Sequence, residues 1–344
     1  MKKVTPIETR KSDHININLD QDVRSSLTTG LERYHFVHCA LPELNLPAID
    51  TSLMLFGKKL AAPILVSSMT GGTEQAREIN QRLAEVAEQY NIAMGVGSQR
   101  AALENPQFIS TYSIARKVAP NILLFANLGA VQLNYGYGID ECRQAVDMIQ
   151  ADALFLHLNP LQEAVQVGGD TNFAGLAKKI TAVCKNVGVP VVAKEVGWGI
   201  SSQTAKVLVE CGISAIDVAG AGGTSWSQVE MYRAQDELTR KLAASFVNWG
   251  IPTADSIINV KNVASEMIIF ASGGLKDGMD VAKSIALGAT IGGFAGKFLR
   301  AAAISTNQIA ELVKLTQKQI QVSMFGAGVP DLNSLSRVEL IKSA

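Results

Sequence analysis

Three observations predict an α/β chain, a (β/α)8 TIM barrel with an amino-terminal extension. Eight short apolar runs, rich in Val and Ile or closed by Gly, recur roughly every 25–35 residues, as parallel strands do when helices alternate with them. The segments between them carry a helical period: in "TEQAREINQRLAEVAEQY" the positions Ala76, Ile79, Leu83, Val86, Ala87 and Tyr90 share one face. Each run also ends, at its carboxyl side, in glycine or a polar group, and a barrel gathers those ends at one mouth.

The runs follow in order. "AAPILVSSM" leads to Thr70, "IAMGVGS" to Ser98 with Arg100 beyond it, and "NILLFANLG" contains Asn127. "DALFLHLN" ends in His157 and Asn159, and "VPVVAKEVG" carries Lys194 and Glu195. "SAIDVAG" precedes the glycines of "GAGGTS" (Gly220 to Ser225), "MIIFASGG" ends in Gly273 and Gly274, and "ATIGGFAG" ends in Gly296. About fifty residues separate the sixth and seventh runs, enough for a functional loop plus its helix. On this reading residues 1–60 are an arm or cap with weak periodicity, 61–300 the barrel and 301–344 a helical segment, all within one domain.

Composition narrows the function. Hydrophobic residues are 47% of the chain and aromatics only 6%, so the core is built of Ala, Val, Ile and Leu, as suits helices on a parallel sheet. Lys plus Arg and Asp plus Glu are both 31, which leaves no overall field to draw in nucleic acid or an anionic membrane. The uncharged stretch from Val118 to Ile139 is broken by Pro120, Asn, Gln132 and Gly, unlike a lipid-facing helix. The amino terminus, "MKKVTPIETRKSDH", has lysines but no apolar stretch behind them, so no signal peptide is expected. Cys39, Cys142, Cys184 and Cys211 are scattered without metal-binding spacing and read as reduced, mostly buried thiols of a soluble cytoplasmic protein.

Several groups of residues point to chemistry. "SGGLKDG" after the seventh run and "GFAGK" after the eighth are glycine-rich turns into helices. Either alone is ordinary turn punctuation; together, at the place where barrels hold phosphate, they predict an anion site, with "GAGGTS" as a third wall. Lys194, at the end of a strong strand run, points into the mouth and faces something electron-rich such as a carbanion, an enolate or a reduced flavin. In "HLNPLQE", His157 and Asn159 share a strand face, and Pro160 ends the strand and sets Gln162 and Glu163 in the loop above. Glu163 has no acidic residue beside it, which suits Mg²⁺ shared with waters and a substrate phosphate. Arg10, Lys11 and His14 of "TRKSDH" can clamp a phosphate if the flexible arm folds over the mouth.

The motifs "RKSDHI", "SSMTGG", "GSQR", "HLNPLQE", "KEVG", "GGTSW" and "ASGG" stand in the order and approximate spacing of the type 2, FMN-dependent isopentenyl-diphosphate isomerases, which the chain resembles from about Arg10 to beyond Gly296. One position departs: Asp13 stands where the family motif has Glu. The resemblance implies interconversion of isopentenyl and dimethylallyl diphosphate with FMN, Mg²⁺ and NADPH or NADH as flavin reductant, the reduced flavin acting as acid/base catalyst without net redox change. It implies that Ser68, Met69, Thr70, Ser98 and Asn127 contact the flavin ring or ribityl chain and that Lys194 stabilises the reduced ring. Thr224, Gly273, Gly274, Leu275, Ala295 and Gly296 would surround the flavin tail and phosphate. Arg10, Lys11, Ser98, Arg100 and His157 would hold the diphosphate with Asn159 assisting, Glu163 would take the Mg²⁺, and Gln162 would sit beside the reacting carbons. Gln162, His157 and Lys194 are the candidate catalytic residues, and a homotetramer or larger homo-oligomer is expected.

Rival readings fit less of the sequence. An FMN-dependent 2-hydroxy-acid oxidase needs a histidine base near the last strands, and no histidine follows His157. An IMP-dehydrogenase-like enzyme needs a nucleophilic cysteine in a barrel loop, and all four cysteines miss the expected loop. A non-catalytic flavin- or phosphate-binding protein leaves Arg10, Gln162 and Glu163 without a role. No dinucleotide fingerprint distinguishes NADH from NADPH.

Overall fold

The computed structural model describes residues 7–343; the amino-terminal lysines at positions 2 and 3 lie outside the described residues. Each of the eight apolar runs contains a barrel strand. They are β1 Ile64–Val66, β2 Ala93–Gly95, β3 Leu124–Gly129, β4 Ala153–Leu158, β5 Val191–Glu195, β6 Ala215–Asp217, β7 Ile268–Ala271 and β8 Ile291–Phe294. All neighbours are parallel, and β8 closes the barrel by pairing with β1, Gly292 opposite Ile64 and Phe294 opposite Val66.

The barrel interior follows from the two-residue alternation of a strand. Leu65, Phe125, Phe155, Val192, Ala215, Phe270 and Ile291 all point to the axis and are fully buried. Phe125 stacks on Phe155 with ring centres 4.5 Å apart, and Phe270 meets both edge-on at 5.7 and 6.2 Å. These three rings form a floor across the barrel. Below it, an antiparallel hairpin, Leu53–Leu55 with Lys58–Leu60, presents Phe56 to the same rings and stoppers the amino-terminal end.

The helices obey the period read from the sequence. Helix Glu74–Tyr90 buries Ala76, Ile79, Leu83, Val86 and Ala87; Thr73 caps its start by accepting from the Ala76 amide, and Asn91 ends it in the left-handed region at φ 48°. The segment between β6 and β7 holds more than the single helix expected of it: Trp226–Arg233, Glu237–Ala244 and Thr253–Val263 are all helical. The arm before the barrel also differs from expectation. Ile7–Asp20 forms a helix, because packing on Trp226–Arg233 and Gly296–Ile304 supplies what its weak periodicity lacks. After the barrel, Thr306–Gly326 packs on Gly278–Ala286, and a last strand, Leu340–Lys342, pairs with Tyr34–Phe36. Cys142 and Cys211 are buried, Cys39 and Cys184 partly so, and all four are free thiols. Among the described residues no helix is long and apolar enough to cross a membrane.

Because the floor is packed from three rings, Phe155→Ala leaves a cavity that its neighbours cannot close. A loss of about 3–5 kcal/mol is expected, read as a lower urea midpoint by circular dichroism.

Candidate active site

Above the aromatic floor the same alternation turns polar. Two residues along each strand from an axial apolar group stand Ser67, Asn127, His157, Lys194, Asp217 and Ser272. All but Asp217, which is fully buried behind them, form the bottom of a cavity of about 790 Å³ that every site residue expected from the sequence lines, from Arg10 and Lys11 to Ala295 and Gly296. Ser67 Oγ, Ser68 Oγ, Thr70 Oγ1 and Asn159 Oδ1 are buried there without a hydrogen-bond partner. Native interiors rarely leave such atoms unpaired, so this wall is built for a polar ligand.

One expectation is corrected at the rim of β4. Pro160 ends the strand, but it also begins a helix, Pro160–Val165, since the first helical position needs no amide hydrogen. Gln162 and Glu163 therefore sit on its first turns and not in a loop. Asn159 Nδ2 donates to Gln162 Oε1 (3.2 Å) and Glu163 Oε1 (2.8 Å), while Glu163 Oε2 accepts from the Asp170 amide (2.8 Å) and Gln166 Nε2 (3.3 Å). A second acidic group does stand beside Glu163: the chain turns back through Gly169 and brings Asp170 close. Asp170 is occupied by Arg100, 2.7 Å away, and by Gln132 Nε2 at 2.9 Å. Burial raises the Glu163 pKa, against the pull of its hydrogen bonds and the Arg10 charge. Among the described residues no three His, Cys, Asp or Glu side chains group as an all-protein metal cage.

Helix Ile7–Asp20 roofs the cavity. Lys11 Nζ donates to the Ser98 carbonyl (2.7 Å) and to Tyr112 Oη (3.2 Å), and burial followed by the Arg10 charge lowers its pKa to about 7. His14 lies edge-on to Trp226 and bonds through Nε2 to Glu230 Oε1 at 3.1 Å. Glu230 is 3% exposed and serves three partners: His14, Gln162 Nε2 at 3.1 Å, and Arg233 Nη1 at 2.6 Å. Burial pushes its carboxyl up, but the His14 bond and the charges of His14 and Arg233 outweigh that and hold it down at about 2. Asp13, the departure from the family motif, lies 3.5 Å from Arg233 Nε.

Opposite the roof, His157 Nδ1 pairs with Asn127 Oδ1 at 2.9 Å while Asn127 Nδ2 donates to the Val96 carbonyl (3.1 Å). That amide direction makes His157 Nδ1 the donor and leaves Nε2 as the lone-pair nitrogen. Burial, then the Lys194 and Lys11 charges, lowers the His157 pKa to about 3, so the ring is neutral. Lys194 Nζ donates to the Glu195 carbonyl at 2.7 Å, and Glu195 Oε2 accepts from the amides of Val196 and Gly197, each 2.7 Å away, fixing the loop after β5.

The two glycine loops differ from each other. Helix Gly278–Ala286 is already capped by Asp277, and Asp280 takes the Lys276 amide, so its start is closed to an anion. Helix Gly296–Ile304 begins after Ala295 with no side-chain cap, and Lys276, Lys297 and Arg300 line the cavity beside it. The seventh loop contributes close backbone instead. Gly273 has φ 100°, and a Cβ there would stand 2.1 Å from the Gly220 carbonyl oxygen.

Sequence reading missed Glu230, Arg233, Asp170, Asp217 and Tyr112. Glu230 and Arg233 are three residues apart on a helix, a pattern shared by any exposed surface pair. The roof helix, arriving from the far end of the chain, sets His14 on Glu230 and Asp13 beside Arg233.

Residues 149–342 match the family described as FMN-dependent dehydrogenase. The chain is 54% identical over 329 residues to an isopentenyl-diphosphate delta-isomerase of Nostoc sp., covering 95% of this chain and 94% of that one. It is 52% identical to the isomerase of that name from Synechocystis sp., covering 96% and 95% of the two chains, and 50% identical to that from Rickettsia rickettsii, covering 96% of each. Among solved structures it is similar to mandelate oxidase with benzoyl-formic acid, at a TM-score of 0.69 and 17% identity over 99% of this chain and 96% of that one, a likeness of fold alone.

The low pKa of His157 has a sign that can be tested on the ligand-free protein. Between about 3 and the ordinary 6.5 the unfolded chain holds a proton that the folded one lacks, so stability rises with pH through that window. His157→Gln should make the rise shallower in urea titrations across pH. An unchanged slope would show that His157 is charged in the folded protein.

Proposed function

Since the chain belongs to the isopentenyl-diphosphate delta-isomerases, a family with an FMN-dependent dehydrogenase domain, we propose that its cavity isomerises isopentenyl diphosphate to dimethylallyl diphosphate and back with reduced FMN, Mg²⁺ and NADPH or NADH as reductant. The observation that carries this is the meeting of Arg10 and Lys11 from the roof with Arg100, His157 and Glu163 from the rim, beside a wall of unpartnered hydroxyls. A diphosphate with its cation suits the first group, and a flavin suits the second.

The residues divide the work. Ser68, Met69, Thr70, Ser98 and Asn127 would take the flavin ring and ribityl chain, and Thr224, Gly273, Gly274, Leu275, Ala295 and Gly296 its tail, the uncapped helix after Ala295 receiving the phosphate. FMN, once reduced, supplies a proton donor and acceptor at N5 and an electron-rich face for developing positive charge. Lys194 would set its cation against that ring. Arg10, Lys11, Arg100 and His157 would hold the diphosphate, Asn159 steering Glu163 toward the Mg²⁺. Gln162, gripped by Glu230 on one side and Asn159 on the other, would present an amide of fixed direction beside the five-carbon tail. Helix Ile7–Asp20 would keep water from the reacting carbons.

The same reading includes a homotetramer or larger assembly in the cytoplasm. Supporting the assembly, Leu238 (80% exposed) and Trp249 (59%) lie bare near helix Glu237–Ala244. The oxidase alternative has no support at the last strands: the histidines lining the cavity are His14 on the roof and His157 on β4.

Purified protein with FMN and Mg²⁺, kept anaerobic, should form dimethylallyl diphosphate only after dithionite or NADPH is added; equal turnover without reductant would sink the proposal. Diphosphate binding should also draw in protons, because Lys11 is only partly charged when empty and His157 Nε2 can donate only after protonation. Calorimetry in buffers of different ionisation enthalpy near neutral pH should show that uptake, and Lys11→Met should reduce it.

A further inference from the structure

Asp217 is fully buried on the barrel axis and has no role in the proposal above, yet it stands level with Lys194, which lines the cavity. In the strand register it stands directly opposite Lys194, with His157 on the other side of that lysine, so three consecutive strands give one inward row: His157, Lys194, Asp217. Its Oδ1 accepts from Ser272 Oγ at 2.6 Å and from the Ala219 amide at 3.3 Å. Its Oδ2 is buried without a hydrogen-bond partner. Every partner it has is a donor, and Oδ2 has no acceptor to which a carboxylic proton could be given. These contacts favour a carboxylate. Burial raises the Asp217 pKa, and the Lys194 charge, followed by the Ser272 bond and the Ala219 amide, opposes that rise.

Lys194 has the complementary need. It is 8% exposed, and its one hydrogen bond goes to a neutral carbonyl, which does not offset the cost of burying an ammonium. The titratable groups that face it are His157 on β4, Glu195 on its own strand and Asp217 on β6. His157 is neutral, and Glu195 Oε2 is committed to the amides of its own loop. We infer that Asp217 is a positioning residue: by standing in the same inward row, its carboxylate balances the buried Lys194 ammonium and keeps it aimed at the ligand above. The inference rests on the reading that FMN is held over Lys194.

The test is the reduction potential of bound FMN, equilibrated with a reference dye at one mildly alkaline pH, in wild type, Lys194→Met, Asp217→Asn and the double variant. Lys194→Met should lower the potential; if it does not, or if wild type fails to retain FMN, the reading beneath this one falls and takes the inference with it. Given that shift, Asp217→Asn should lower the potential in the Lys194 protein, the reduced-to-oxidised ratio at fixed dye potential falling roughly tenfold, because the ammonium is no longer held toward the flavin. In the Lys194→Met background the same change should raise it, since only a negative charge is removed. An equal rise in both backgrounds would make Asp217 an independent charge, and no change in either would make it a neutral structural group. Both outcomes overturn the inference. Should Asp217→Asn not fold, Asp217→Ser carries the same expected signs.

Discussion

The pairing of β8 with β1 is the constraint on which the site depends. An open parallel sheet would scatter its strand ends along an edge, whereas closure brings eight carboxyl ends onto one rim and gives them a common axis. The two-residue alternation then decides what faces that axis. One level is apolar and filled by Phe125, Phe155 and Phe270; the next carries Asn127, His157, Lys194, Asp217 and Ser272. Polar groups so deep are tolerated where other polar groups meet them, as Asn127 meets His157 and Ser272 meets Asp217.

The mouth also has to hold opposite charges apart. Glu163 and Asp170 are neighbours, and Asp170 is quieted by Arg100 and Gln132, which leaves Glu163 as the carboxylate turned to the cavity. Across the site, Glu230 fixes His14, Gln162 and Arg233 at once. Through that single carboxylate the roof helix and the Gln162 amide are held in one geometry, so a disturbance of either reaches the other.

The sequence made the strands legible because each barrel strand is a short apolar run ended by a polar or glycine residue, and a parallel barrel has few other ways to look. Lys194, His157 and Asn159 were readable for the same reason: a strand end tells which way a side chain goes. The first turn at Pro160 was not, because the same proline that ends a strand can begin a helix. Asp277 belongs to the glycine-rich stretch "SGGLKDG", yet its carboxylate caps the helix that an anion would use. Asp217 stands in "SAIDVAG" as one polar residue of a strand; only the register across β5 and β6 sets it against Lys194. Glu230 needed a partner 216 positions away.

That last separation bears on how the chain reaches its working state. His14 reaches Glu230 across the chain, and β8 reaches β1 across a still longer stretch, Gly292 opposite Ile64. Both contacts demand a large loss of chain entropy. The roof helix also rests on Gly296–Ile304, which follows the last barrel strand. A molecule emerging from synthesis therefore gains its closed barrel and its finished mouth together, when the segment made first finds a seat on one made near the end.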